Sequence, residues 1–175
     1  NTPPREIPGY FGTAIEWVKS DNVNTPHYYL TKAVEGLSEA GLAVARTAPA
    51  GSILITCISG SPECIGNSAM ADRTVAFNQQ INALVPSVGD AHFLYAQIRV
   101  AKRLIQAATT GGMKGMVSKG RLEEVALIFP PLELQRELAI RLSAVAVSRN
   151  FHAASLSDLD ELFASLQHRA FRGEL

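Results

Sequence analysis

LELQRELAIRLSAVAVSRNFHAASLSDLDELFASLQHRA, from Leu132 to Ala170, contains neither glycine nor proline. Within it Leu138, Leu142, Val145, Leu156, Leu159, Phe163, Leu166 and Ala170 fall on alternating steps of four and three, with Arg149 and His152 filling two slots. That is the 3.5-residue period of a helix carrying one narrow apolar stripe, sustained over several heptads. Pro131 suits a helix start, and Gly173, just past the last turn, suits a stop. At 1.5 Å per residue such a helix is about 57 Å long, more than a small domain needs to cover its own core. A narrow seam is best covered by another helix, so the stretch predicts one half of a coiled coil. Leu138, Leu142, Val145, Leu156, Leu159, Phe163 and Leu166 are its expected dimerisation residues. Arg149 and His152 mark either a register device or a point where the helices part. The competing expectation is a helix laid lengthwise on its own domain.

Upstream the pattern changes character. Residues 1–130 read as a mixed domain of many short elements, so the expected fold is α+β: a globular mixed α/β domain, 1–130, followed by one long helix, 131–175. Thr13–Lys19 alternates like a strand and leads into a polar loop, Ser20–Asn24. Leu37–Arg46 reads as a short helix with Ser38 as N-cap. Ser52–Ile58 is an apolar, β-branched run and predicts a strand. Ser59–Asn67 is a Gly/Ser/Pro loop. Thr74–Phe77 and Ile81–Val85 predict strands joined by Asn78-Gln79-Gln80. In Asp90–Ala107 the residues Leu94, Ile98, Ala101 and Ile105 share one face of a predicted helix. The Gly111-Gly112 pair marks a turned loop, and Glu124–Phe129 predicts a last strand.

The chain has 175 residues, 47% of them apolar and 18% charged, as in an ordinary globular protein. No apolar run reaches the roughly 18 residues needed to span a bilayer, so no membrane association is expected. The start, Asn1-Thr2-Pro3-Pro4, has no basic segment followed by an apolar one, so no signal peptide is read there. It also lacks an initiator Met, which points to a piece of a longer chain. Two cysteines, Cys57 and Cys64, suggest a reducing compartment and a cytoplasmic location; their spacing leaves a pairing open. Sixteen basic and sixteen acidic residues give zero net charge, which argues against indiscriminate nucleic-acid binding. Yet Ala91–Leu122 carries Arg99, Lys102, Arg103, Lys114, Lys119 and Arg121 and no acid. Such a local cationic surface suits contact with phosphates over a small area; the plainer reading is a solvated face.

Several segments together resemble a known family: Tyr10-Phe11-Gly12, Trp17-Val18-Lys19-Ser20-Asp21, Gly51–Thr56, Ile58-Ser59-Gly60 with Gly66, Phe77-Asn78-Gln79, Phe129-Pro130-Pro131-Leu132-Glu133-Leu134-Gln135, and Leu162–Leu175. The chain is similar to the specificity subunit of type I restriction-modification systems along nearly its whole length, most specifically at the start and end of the long helix. The resemblance implies a target recognition domain that reads a DNA half-site, and a helix that pairs antiparallel with a second one to set the distance to another reader. It implies separate methyltransferase (modification) and restriction subunits as partners. A full subunit of that family carries two domain–helix repeats; this chain has one, so its helix partner is a second copy or the other half of a full-length subunit.

No chemistry of its own is expected of the chain. It has neither a glycine-rich S-adenosylmethionine loop nor an Asn/Asp-Pro-Pro-Tyr/Phe motif for a flipped base. It has no phosphate-binding Walker loop, no metal-ligand spacing among Cys57, Cys64 and the four scattered histidines, and no nucleophile-elbow motif. No cofactor is expected either. Double-stranded DNA is the expected ligand, read by Arg or Lys on guanine and Asn or Gln on adenine. Candidate base contacts are Lys19, Asn22, Asn24, Ser59, Ser61, Arg73, Asn78, Gln79 and Lys114; candidate phosphate contacts are Arg99, Lys102, Arg103, Lys119 and Arg121. Asn22 and Asn24 have an alternative as turn residues, Asn78 and Gln79 as partners of buried backbone, and Trp17 and Tyr10 as core. A coiled-coil assembly or regulatory module that binds protein would share the helix but need no basic cluster.

Overall fold

Ile53-Leu54-Ile55-Thr56 is buried at every position, which explains its unbroken apolar character. Successive side chains of a strand point to opposite faces, and both faces here are covered. Ile53 and Ile55 join one core with Met70, Phe93, Tyr95, Ile98 and Ile105. Leu54 joins a second, with Val18, Val23, Leu30, Val75, Phe77 and Ile81. A strand buried on both sides reads as a continuous run rather than an alternation. The computed structural model describes residues 2–110 and 115–174, apart from the side chains of 146, 147, 149, 150 and 153.

In chain order the elements are β1 (Phe11–Val18), α1 (Ser20–Val23), β2 (Gly36–Leu37), α2 (Glu39–Val44), β3 (Arg46–Ala48), β4 (Ile53–Thr56), β5 (Ile58–Ser59), β6 (Ser68–Met70), β7 (Val75–Phe77), β8 (Ile81–Leu84), α3 (Ala91–Val100), α4 (Lys102–Ala107), β9 (Gly115–Met116), α5 (Lys119–Glu123) and α6 (Leu132–Phe171). One sheet has the order β2-β1-β7-β3, a second β6-β4-β8, and β5 pairs with β9. All pairings are antiparallel except β1 with β7. A third, smaller core of Trp17, Leu37 and Ala76 lies on the first sheet, so Trp17 is a core residue. The fold class is α+β with a long C-terminal helix.

Several predicted elements differ from those observed, each for a local reason. The polar loop after β1 closes into the single turn α1, where the Asn22 side chain accepts the Lys19 N–H at 3.0 Å. Ser38 does cap α2, accepting the Gly41 N–H at 3.2 Å, but Leu37 and Arg46 belong to strands. The run Ser52–Ile58 splits at Cys57 because the N–H groups of Cys57 and Ile58 both turn to Gln80 O, at 2.8 and 3.1 Å. Asp90 caps α3 through His92 and Phe93 N–H, and the helix is interrupted at Ala101, whose ψ is 2°. No strand forms over Glu124–Phe129. Val125 and Leu127 are half-buried and Ala126 and Ile128 exposed, so the alternation is present, but no neighbouring strand hydrogen-bonds to it. Instead Ser118 caps α5 just upstream.

The chain divides into two compact units, Asn1–Leu132 and Glu133–Leu175. The second is α6, whose 40 residues make a helix about 60 Å long. It ends in a Schellman-type cap: Gly173, with φ 71°, donates to Ala170 O at 3.1 Å, and Glu174 N–H to Arg169 O at 2.9 Å. Its predicted seam lies open. Leu138, Val145, Leu156, Leu159, Phe163 and Leu166 are between 39% and 61% exposed, and Leu142 is half-buried. Among the described residues no helix is long and apolar enough to cross a membrane.

Candidate nucleic-acid interface

Three distant segments meet around a hollow of about 400 Å³ lined by Lys19, Ser59, Gly60 and Asn78–Gln80, with Trp17 and Phe11 as apolar walls and Thr2, Pro3 and Arg5 at one side. Strand register brings them together. β1 and β7 run parallel with Trp17 opposite Ala76 and Val18 opposite Phe77. Lys19 and Asn78, each one residue past its strand, therefore emerge at the same end, and Asn78 N–H donates to Val18 O at 3.2 Å. The bonds from Cys57 and Ile58 to Gln80 O draw β5, and with it Ser59, to the same place.

The groups around this hollow are not equally available. The Asn78 side chain closes its own turn: Oδ1 accepts Gln80 N–H at 3.1 Å, and Nδ2 donates to Gln80 Oε1 at 2.9 Å. Ser59 Oγ accepts Ser61 N–H at 3.1 Å, which orders the exposed glycine-loop tip. Gln79 is exposed; its backbone N–H donates to Thr2 Oγ1 at 3.1 Å. Among the described residues its carboxamide has no protein partner. The Lys19 ammonium is in close contact with Glu35, which also accepts from Arg5 at 3.2 Å. The hydrogen bond from Lys19, reinforced by Arg5, holds the Glu35 carboxyl below its usual range against the opposing effect of burial.

Three other predicted base contacts are engaged inside the fold. Asn22 donates to Thr31 Oγ1 at 3.3 Å and Lys32 O at 3.2 Å besides capping α1. Asn24 Oδ1 accepts from Thr56 Oγ1 at 2.9 Å and from Asn67 Nδ2 at 3.2 Å. Arg73 forks onto both Glu16 oxygens at 2.8 and 2.7 Å, reaches Asp72, and donates to the carbonyls of Leu30 and Thr31. The Arg73 bond keeps the Glu16 carboxyl low, and the Arg73 guanidinium is driven still further toward its charged form.

The cations after residue 90 have different company. Arg99 donates to Tyr95 OH at 3.1 Å, Lys102 to Asn67 Oδ1 at 2.6 Å, and Arg121 to Ala108 O at 3.2 Å; all three acceptors are neutral. Arg103 is exposed and has no protein partner among the described residues. Of the described cations between Ala91 and Leu122, Lys119 alone meets a carboxylate, Glu123, at 3.5 Å with both side chains well exposed. Lys114 lies outside the described residues. α4 is fixed to the glycine loop by Lys102 and by Gln106 Nε2, which donates to Ile65 O at 3.1 Å. Gly66, at φ 80°, comes so close to Lys102 that an added Cβ would lie 3.2 Å from its carbonyl oxygen.

Residues 13–156 match the profile of the type I restriction modification DNA specificity domain. The chain belongs to that family. Solved structures with the same fold span the whole length. One, described as the structural basis of complex assembly and conformational transition of the type I R-M system, is 20% identical, with a TM-score of 0.66, covering 99% of this chain and 42% of that one. The HsdS subunit of Thermoanaerobacter tengcongensis is 19% identical, with a TM-score of 0.61, over 99% of this chain and 41% of the other. The type I restriction-modification S subunit of M. genitalium is 19% identical, with a TM-score of 0.57, over 94% and 44%. This specificity-domain chain thus spans about two fifths of each solved chain.

Reading the residues alone overlooks Arg5, Glu35 and Gln80. Gln80 carried a signal, since it belongs to the polar triplet between two predicted strands. Arg5 and Glu35 carried none, because their ion pairs span 30 and 16 residues of sequence and follow no local period. Among the described residues no group of three or more His, Cys, Asp or Glu side chains could hold a metal. Cys57 and Cys64 are free thiols, and burial pushes the Cys57 thiol up.

Proposed function

We propose that this chain is a non-catalytic reader of double-stranded DNA: residues 1–130 recognise one half of a bipartite site, and residues 131–175 hold that reader at a set distance from another. The observation that carries the reading is the company its cations keep. In a chain of zero net charge, Arg99, Lys102, Arg103 and Arg121 meet no carboxylate among the described residues. Positive charge left uncompensated on one stretch of a neutral protein favours a polyanion over a small, defined area. Family membership supports the same reading. Phosphate contact falls to Arg99, Lys102, Arg103, Lys119 and Arg121, and base contact to Gln79, Lys19 and Ser59 around the hollow, with Ser61 beside them. Asn22, Asn24, Arg73 and Asn78 support these groups through the bonds already described.

The open seam of α6 supports pairing with a second helix, antiparallel, from another copy or from the other half of a longer subunit. A half-site of a few base pairs discriminates weakly, since one mismatch costs roughly 1–3 kcal/mol. Two readers on a rigid spacer multiply that discrimination. In this reading the cytoplasmic complex also holds modification and restriction subunits, which supply the chemistry. Selection from a pool of random duplexes, using the full chain assembled with its partners, tests the proposal. A self-paired chain returns an inverted repeat with an unread spacer, and a chain paired with a different reader returns two unlike half-sites. A single contiguous site, or no enrichment, rejects the reading.

A further inference from the structure

The junction of α3 and α4 turns two kinds of side chain outward. Ile98, Ala101 and Ile105 face the core. Between them Arg99 and Arg103 are exposed, and so are Val100, at 86%, and Leu104, at 57%. The two helices meet at Ala101, whose N–H donates to Gln97 O at 2.8 Å and whose carbonyl accepts Ile105 N–H at 3.0 Å. Ile98, Ala101 and Ile105 keep helical spacing on the buried side from one helix to the next, so the two arginines and the two aliphatic residues lie side by side on the exposed side.

This face is held firmly. Lys102 and Gln106 tie α4 to the glycine loop. Arg99 is set in place by Tyr95, a buried residue whose hydroxyl accepts one guanidinium N–H at 3.1 Å and donates to Ser68 O at 3.4 Å. That bond uses one of the five N–H donors of Arg99 and leaves the others for a ligand.

We infer that this face reads bases in the major groove, and that Val100 and Leu104 receive the 5-methyl group of thymine. The inference rests on the DNA-reading function proposed above and extends it from phosphates to a base edge. The cations draw the face against the duplex, and the aliphatic pair beside them meets the one apolar group that base pairs present in that groove. Rigid presentation suits such a contact, because base readout depends on placement within a fraction of an ångström.

The test uses the full chain, with its partner subunits where binding requires them, on the site that it selects from random duplexes. Each thymine of that site is replaced in turn by uracil, which removes only the methyl group. Wild-type affinity falls about fourfold at one or two positions, the worth of one buried methyl. Leu104→Ser or Val100→Ser removes that sensitivity at the same positions while the melting temperature stays unchanged. Equal affinity for thymine and uracil throughout overturns the inference, as does a selected site without thymine or full retention of the difference in both variants; in each case DNA reading itself still stands. Failure to select any site overturns both.

Discussion

In β4, Ile53, Leu54 and Ile55 are fully buried, whereas in α6 Leu156, Leu159 and Phe163 are 60–61% exposed. Burying a side chain of this size stabilises by about 1.5–3 kcal/mol. The globular unit has collected that gain from both faces of its central sheet. The helix has left it uncollected along a stripe several turns long, far more than scattered surface leucines require. Comparable apolar content is thus buried in one region and left as an exposed stripe in the other.

The largest effect that would break this contrast concerns association. Leu159→Glu with Phe163→Glu should abolish pairing of the purified chain or its docking on another helix, read by light scattering, while the near-ultraviolet circular dichroism of the globular unit is retained. Association unaffected by both charges would mean that the stripe is not the interface. Next comes folding energy. Leu54→Ala should lower the stability of the globular unit by about 2–5 kcal/mol in denaturant melts, and Leu159→Ala should change it by less than about 0.5 kcal/mol.

A second contrast lies inside the globular unit. Lys19 and Arg73 are matched to carboxylates, and Lys102 and Arg103 are not, among the described residues. Lys102→Glu and Arg103→Glu should each reduce the salt dependence of DNA binding by about one phosphate contact. Lys19→Gln should alter it far less, because Glu35 already compensates that cation. Equal slopes for the two classes would erase the distinction.

The smallest expected effect is a pH dependence. Glu16 is held below 4.5 by Arg73. As pH falls, the unfolded chain takes up that proton first, so the contribution of the pair is complete above pH 4.5 and is lost as pH drops through the lower folded value. Melting temperatures of wild type and Glu16→Gln should therefore differ most above pH 5 and converge in acid.

Legibility differed between these regions for a physical reason. The long helix could be read because its stripe is a local period, fulfilled by Leu132–Phe171 within one residue of the expected end. The buried strand at Ile53–Thr56 and the Ser38 cap were legible on the same ground, since each depends on a few adjacent residues. The two-residue strands were not legible, nor was the failure of Glu124–Phe129 to form one, because a strand exists only where another backbone lies beside it.

The candidate interface divides along the same line. Composition and spacing sufficed for the basic stretch after residue 90, for its lack of acids, and for a long helix with an apolar stripe, since these depend on near neighbours. Which polar groups share a hollow was settled by the parallel register of β1 with β7 and by the bonds of Cys57 and Ile58 to Gln80. Which cations stay available was settled by carboxylates many residues away in the chain. Both outcomes depend on the folding of distant segments onto one another, and no pattern within a segment encodes its partner.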